Sequence, residues 1–218
     1  MGRPREFDEA EVLDAAVACF WEHGYEATST RELAGRMGLT GASLYNAFGG
    51  KRALYRKALD HYIDASFADR VRRLEGTLPP LEAIRAFFME IIRRSLDDPR
   101  RKGCMLINSA LEVAPHDPEF RRIVTEILAQ IEAFFRRCVR AGQRDGSITR
   151  SQSATDFGRA LLAAHIGVRV MARTRPEKPL LEGMVRPILA VLDAEAGRRP
   201  HSGPRMTSQP QDDKPASG

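Results

Sequence analysis

The chain has 218 residues, 43% hydrophobic and 29% charged, enough to bury a sizeable core and ordinary for a soluble globular protein. Its apolar runs are short and broken by Arg or Glu, and residues 1–6 (Met-Gly-Arg-Pro-Arg-Glu) hold no apolar core, which excludes a membrane span or signal peptide and predicts a cytoplasmic location. The net charge of +5 invites a nucleic-acid partner, although Arg198, Arg199, Arg205 and Lys214, set against Asp212 and Asp213, place part of the excess near the C-terminus; Cys19, Cys104 and Cys138 lack metal-ligand spacing, which excludes a zinc site or a disulfide framework.

The elements read as helices from the start. Asp8 with Glu11 makes a capping box and Phe7 with Val12 a hydrophobic staple; Val12, Ala15, Ala16, Cys19 and Phe20 then form one apolar face that ends at Gly24. Ser29 and Glu32 cap a second helix, which Gly38 stops after Met37 by supplying a left-handed residue. A third begins at Thr40. Its inward positions are Leu44, Ala47 and Phe48, which leaves Ser43, Asn46 and the Tyr45 hydroxyl facing outward. Two short helices joined by a glycine turn make a helix-turn-helix, the device that lays a recognition helix in the major groove of double-stranded DNA. Acids and bases balance over the first 57 residues, yet Arg3, Arg5, Arg31, Arg36, Lys51 and Arg52 cluster around the recognition surface, and that local placement carries the phosphate argument.

Lys51 to Leu74 reads as one long amphipathic helix with Leu54, Ala58, Tyr62 and Ala65 inward, broken after Gly76 and Pro79-Pro80. Further helices are predicted over Leu81–Leu96, Cys104–Val113, Asp117 (a cap followed by Pro118) to Ala141, Ser153–Ala172 and Leu180–Ala196. No segment alternates as a strand does, so the fold class is all-α. From Gly197 onward Gly, Pro, Ser, Gln and charged residues dominate, predicting a disordered tail over 197–218.

Phe20, Gly24, Tyr25, Thr28, Ser29, Leu33, Ala34, Gly38, Leu39, Leu44, Tyr45, Phe48, Lys51 and Leu54, in that spacing, make the first quarter of the chain resemble the DNA-binding domain of the TetR family of bacterial transcriptional regulators. The resemblance implies an N-terminal three-helix helix-turn-helix domain, residues 1–54. It implies a C-terminal helical ligand-binding and dimerisation domain, residues 55–196, that pairs through its last two helices. Two recognition helices one DNA turn apart then read a pseudo-palindromic operator. By family habit the chain is a repressor, released when an effector shifts the body so that the helix from Lys51 spaces the two heads wrongly.

Thr40 caps the recognition helix and offers its hydroxyl and free amides to a phosphate, while Ser43 and Asn46 are candidates for base edges. Tyr45 and Lys51 match family positions that contact phosphates, and Thr30 and Arg31 match positions that contact backbone or base. Gly41 and Ala42 stand where relatives often carry larger residues; they permit close approach but make no bidentate base contact. Gly49-Gly50 likewise lacks the usual polar cap before Lys51. The arm with Arg3 and Arg5 has the Gly-Arg-Pro core of a minor-groove hook.

For the effector there are two readings. Cys104 follows Arg100-Arg101-Lys102 at the start of a helix, where positive charge and the helix N-terminus stabilise thiolate, so it is either a redox or electrophile sensor or a buried cysteine that docks the helix. The Gly103-Cys104-Met105-Leu106 segment also resembles a TetR subgroup, some of whose members sense reactive compounds through that cysteine. The other reading is a pocket for a small apolar molecule, lined by Phe88, Met105, Phe134 and His165 together with Phe87, Ile91, Ile107, Phe157 and Met171. A helical carrier or enzyme with a non-DNA-binding head is the rival class. It is opposed by the lack of any nucleophile motif, metal cluster or phosphate-cradling loop; no cofactor is implied.

Overall fold

The computed structural model describes residues 8–194; the Arg3 and Arg5 arm and the predicted tail lie outside them. Helix α1, Glu9–His23, starts where the Asp8 carboxylate accepts from the Ala10 N–H and stops at Gly24, whose φ of +84° only glycine adopts cheaply. Helix α2, Thr30–Arg36, is capped by the Ser29 hydroxyl accepting from the Glu32 N–H at 3.1 Å, and α3, Gly41–Phe48, by Thr40 accepting from the Ser43 N–H at 3.1 Å. Leu33, Ala34, Leu44 and Phe48 bury against Val12, Ala16, Cys19 and Phe20 in one core. Ala47, predicted inward, is exposed: an eight-residue helix meets the core along Leu44 and Phe48 alone, one turn apart.

The long helix predicted from Lys51 is interrupted. Helix α4, Lys51–Ile63, runs into a π-helical turn, Asp64–Ala68, before α5, Asp69–Leu74. The wider turn slips the register, so that Phe67 takes the buried place and Ala65 points to solvent, against the 3.6-residue expectation. The Ser66 hydroxyl donates to the Tyr62 carbonyl at 2.6 Å, which helps hold the distorted turn.

Helices α6 (Pro80–Leu96), α7 (Met105–Glu112), α8 (Pro118–Asp145), α9 (Ala154–Thr174) and α10 (Lys178–Leu192) build the body. Its centre is aromatic: Phe87 lies 5.0 Å from Phe135 and 5.4 Å from Phe134, and Phe88 stacks on Phe135 at 5.6 Å. Helix α8 runs on past its predicted end to Gly146, and α9 packs along it. Helix α10 opens two residues before its predicted start and ends at Leu192. There the chain leaves the helix because Asp193 pairs with Ile148 in a short bridge and accepts from Arg85 at 3.2 Å. No strand forms among the described residues, and none of their helices is long and apolar enough to cross a membrane.

Gly24 also sets how the two parts meet, since a Cβ there would lie 2.8 Å from the Glu112 carboxylate. Gly24→Ala combines that contact with a disfavoured φ and is expected to cost about 1–3 kcal/mol. Urea denaturation checks this; an unchanged midpoint would refute it.

Candidate DNA interface and effector cavity

Helices α2 and α3 place the predicted DNA residues on one open surface. Leu44 and Phe48 fix the recognition helix to the core, and Thr30, Arg31, Thr40, Gly41, Ala42, Ser43, Tyr45 and Asn46 are all exposed, Tyr45 to 67%. The Thr40 and Ser43 hydroxyls lie 2.9 Å apart, so they act as a bonded pair at the helix start. A Cβ at Gly41 would meet nothing within 4 Å, so that end of the helix is free to approach a flat or close partner. Gly49 and Gly50, at φ +77° and +110°, turn the chain into α4 without a side-chain cap.

The cation cluster predicted around this surface is thinner than the sequence suggests. Arg36 pairs with Glu22 at 3.2 Å, while Arg52 is held by Asp117 at 2.8 Å and Glu119 at 2.6 Å, carboxylates distant in sequence from Arg52. Lys51 donates to the Glu26 carbonyl at 3.2 Å and sits 4.5 Å from the centre of the Tyr25 ring, which fixes its ammonium at the edge of the face. Arg31 alone of these cations has neither an ion pair nor a hydrogen bond among the described residues.

A cavity of about 560 Å³ lies between head and body. Its wall takes Val17 and Trp21 from α1, Tyr62 and Phe67 from the connector, Phe87 and Ile91 from α6, and His165 and Arg169 from α9. Of the five predicted effector residues, Cys104 and His165 line it. Phe88, Met105 and Phe134 do not; they are at most 1% exposed and belong to the core, because their helices turn those positions toward the aromatic centre.

Cys104 caps α7, and its thiol accepts from the Tyr62 hydroxyl at 3.6 Å. Burial pushes the thiol pKa up, but the Arg169 guanidinium, the Ile107 N–H and the Tyr62 hydroxyl outweigh burial and hold it below the usual thiol value. Of the preceding cations, which the sequence offers as the cause, Arg100 pairs with Glu22 and Lys102 lies over the Trp21 ring at 4.4 Å, while Arg101 lies on the same cavity wall. Burial pushes the Cys138 thiol up to about 12 and also raises that of Cys19, consistent with core positions. Sequence reasoning missed Arg169 and Arg70, because a charged residue on an amphipathic helix reads as solvent-facing, and it also missed Trp21.

Residues 12–58 match the family described as "Bacterial regulatory proteins, tetR family", and residues 80–185 match "Tetracyclin repressor-like, C-terminal domain". The HTH-type transcriptional regulator YezE of Bacillus subtilis is 35% identical over 194 residues, covering 88% of this chain and all of that protein. The chain belongs to the TetR family. It is a helix-turn-helix transcriptional regulator and not an enzyme. The transcriptional repressor ComR of Escherichia coli is 30% identical over 79% of this chain and 82% of its own. Among solved structures, a cysteine-substituted TetR-family regulator CifR, complexed with a 26-base-pair double-strand operator DNA, superposes with a TM-score of 0.77 at 28% identity, over 88% of this chain and all of that one.

In this TetR-family regulator α7 joins cavity to head. Cys104 caps one end; one turn on, Ser109 meets the Tyr55 hydroxyl of the connector at 2.6 Å, and at the far end Glu112 accepts from the Glu26 N–H at 2.9 Å. On the opposite wall His165 is buried. Burial, with Arg169 and Arg70 nearby, pushes its pKa down to about 3, so the ring is neutral in the folded protein.

A depressed histidine stabilises the fold above its unfolded pKa of about 6.5 and withdraws that stability as pH falls towards the folded value. Between about pH 6 and pH 4 the native protein should therefore lose about 1 kcal/mol per pH unit more than His165→Leu. Parallel pH dependences of the two unfolding free energies would refute this.

Proposed function

We propose that this TetR-family chain represses transcription in the cytoplasm by binding a pseudo-palindromic operator as a homodimer, and lets go when its cavity is filled. The head, residues 1–54, reads DNA, and the body, residues 55–196, dimerises and holds the effector. The observation that carries the reading is the position of the cavity: one wall is α1 of the head, another the connector, and a third the cap of α7. An occupant touches the elements that set the recognition helix, so it has a physical route to favour one head spacing over another.

On the DNA side, Arg31 and Lys51 supply phosphate contacts, with the Thr40 and Ser43 hydroxyls and the first amides of α3. Tyr45 packs its exposed ring against the backbone, Thr30 supports the entry of α2, and Asn46 reads a base edge. Gly41 and Ala42 let the helix sit close without reading bases, and the Arg3 and Arg5 arm adds minor-groove contacts. The solved operator complex of CifR supports this use of the head. For the dimer, support comes from α9 and α10, which expose Val170 and Val191 and leave Leu162, Ile166, Met184 and Ile188 only partly covered, an apolar surface suited to a two-fold four-helix contact.

Cys104 supports a second mode of release, in which an electrophile entering the cavity modifies the thiol that Arg169 and Tyr62 activate. Cys104→Ser should then keep operator binding but lose its release by N-ethylmaleimide, read by fluorescence anisotropy. Undiminished release would remove this mode.

Arg31→Ala should weaken operator binding and lower the salt slope by about 1, and Asn46→Ala should relax base preference at one position. Arg52→Ala should leave the slope unchanged, because its guanidinium is spent on Asp117 and Glu119. Salt titrations of operator binding check all three; a flat salt dependence for the unaltered protein would overturn the reading.

A further inference from the structure

Arg169 is a buried cation with no carboxylate partner among the described residues, and the Cys104 thiol lies beside it. It is 9% exposed, and its guanidinium donates to the Ser95 hydroxyl at 3.0 Å, the Tyr62 hydroxyl at 3.3 Å and the Gly103 carbonyl at 2.8 Å. All three are neutral acceptors, and no carboxylate among the described residues pairs with it. Hydrogen bonds to neutral oxygens do not cancel the cost of taking a charge out of water, which is why buried cations are ordinarily paired.

The rest of the wall has the same bias. Arg70, 5% exposed, shares the single Glu90 carboxylate with Arg73 and Arg94, at 3.3, 3.0 and 3.1 Å, so that region also holds more positive than negative charge. Of the acids that line the cavity, Asp14 is engaged with His61 at 2.8 Å and Asp98 with the Arg100 and Lys102 N–H groups, while the third, Asp97, is exposed. Two nitrogens along the wall, His165 Nδ1 and Trp21 Nε1, are buried with no hydrogen-bond partner among the described residues. Buried polar groups left unbonded are uncommon and costly, and at a cavity wall they mark where a ligand's acceptors belong.

Apolar side chains complete the cavity: Val17, Phe67, Phe87, Ile91 and Leu106 line it together with the cations. We infer that the cavity takes an organic anion, a carboxylate on an apolar or aromatic body, whose charge Arg169 balances while the unpartnered nitrogens at the wall donate to its oxygens. This rests on the effector reading above and names the chemical class of the effector. Binding then acts where Arg169 already joins connector, α6 and the residue before Cys104, so neutralising it changes the forces on the connector directly.

The test uses phenylacetate, phenylbutyrate and naphthylacetate, each beside its primary amide, with full-length protein and calorimetric titration. At least one carboxylate should bind about tenfold or more tightly than its amide, an advantage kept in Arg169→Lys and lost in Arg169→Met. The comparison on unaltered protein decides by itself if Arg169→Met does not fold. Equal affinity of acid and amide, or no binding by any carboxylate, overturns the inference. So does a Cys104 thiolate that already balances Arg169, seen as thiolate absorbance at neutral pH that carboxylates leave unchanged. Operator binding measured without any probe separates the two readings: its loss sinks the DNA-binding reading, whereas amides that release operator keep the effector reading and sink only the anion.

Discussion

The guanidinium of Arg169 reaches from α9 to Ser95 on α6, to Tyr62 on the connector and to the carbonyl of Gly103, the residue before the α7 cap. Four elements from distant parts of the chain are thereby fixed around one buried charge. A flexible polar side chain would satisfy the same acceptors more loosely; the planar fork of Arg holds fixed directions at once. The cavity takes its shape from this arrangement, since Tyr62, Ser95, Gly103 and Cys104 are all part of its wall. The same contact sets the protonation of its neighbours: it draws the Cys104 thiol down and helps keep His165 neutral.

From that hub the structure runs outward to the DNA face through short, directional contacts. Tyr62 belongs to the helix that begins at Lys51, and Lys51 is bonded to the Glu26 carbonyl in the turn that Glu112 also holds. Arg52 and Arg56 bind Asp117 and Glu119 at the start of α8, which ties the same helix to the body from its exposed side. The surface pairs are individually weak in water and are easily exchanged. The buried Tyr55–Ser109 bond and the packing of Tyr55 against Phe20 and Phe120 are not. The head is thus fixed by a firm centre and rimmed by exchangeable pairs.

The head was legible in the sequence because its signals are local. Ser29, Thr40, Gly24 and Gly38 do their work within one turn, through caps and positive φ, and the structure keeps each in its predicted place. The elements that departed from expectation did so where tertiary packing acts. The π turn at Asp64–Ala68 moved Phe67 inward and Ala65 outward, and α10 ended early because Asp193 found Ile148 and Arg85. His165 lies at the cavity wall, and so does Cys104, which the sequence offers as a sensor or a buried cysteine, whereas Phe88, Met105 and Phe134 went to the core, since an apolar residue on a helix gives no sign of which neighbour it will meet.

By itself the sequence determined an all-helical regulator of the TetR family, with a recognition helix opening on Gly41 and Ala42. Helix period, caps and turn glycines are properties of a few adjacent residues, and they survive whatever the rest of the chain does. Only the tertiary structure decided which charges are available and which are spent. Arg36 and Arg52 are held by carboxylates beside the helix-turn-helix, and Arg169 is buried without one, because the energy of a charge depends on what lies around it in space and on the water it has lost.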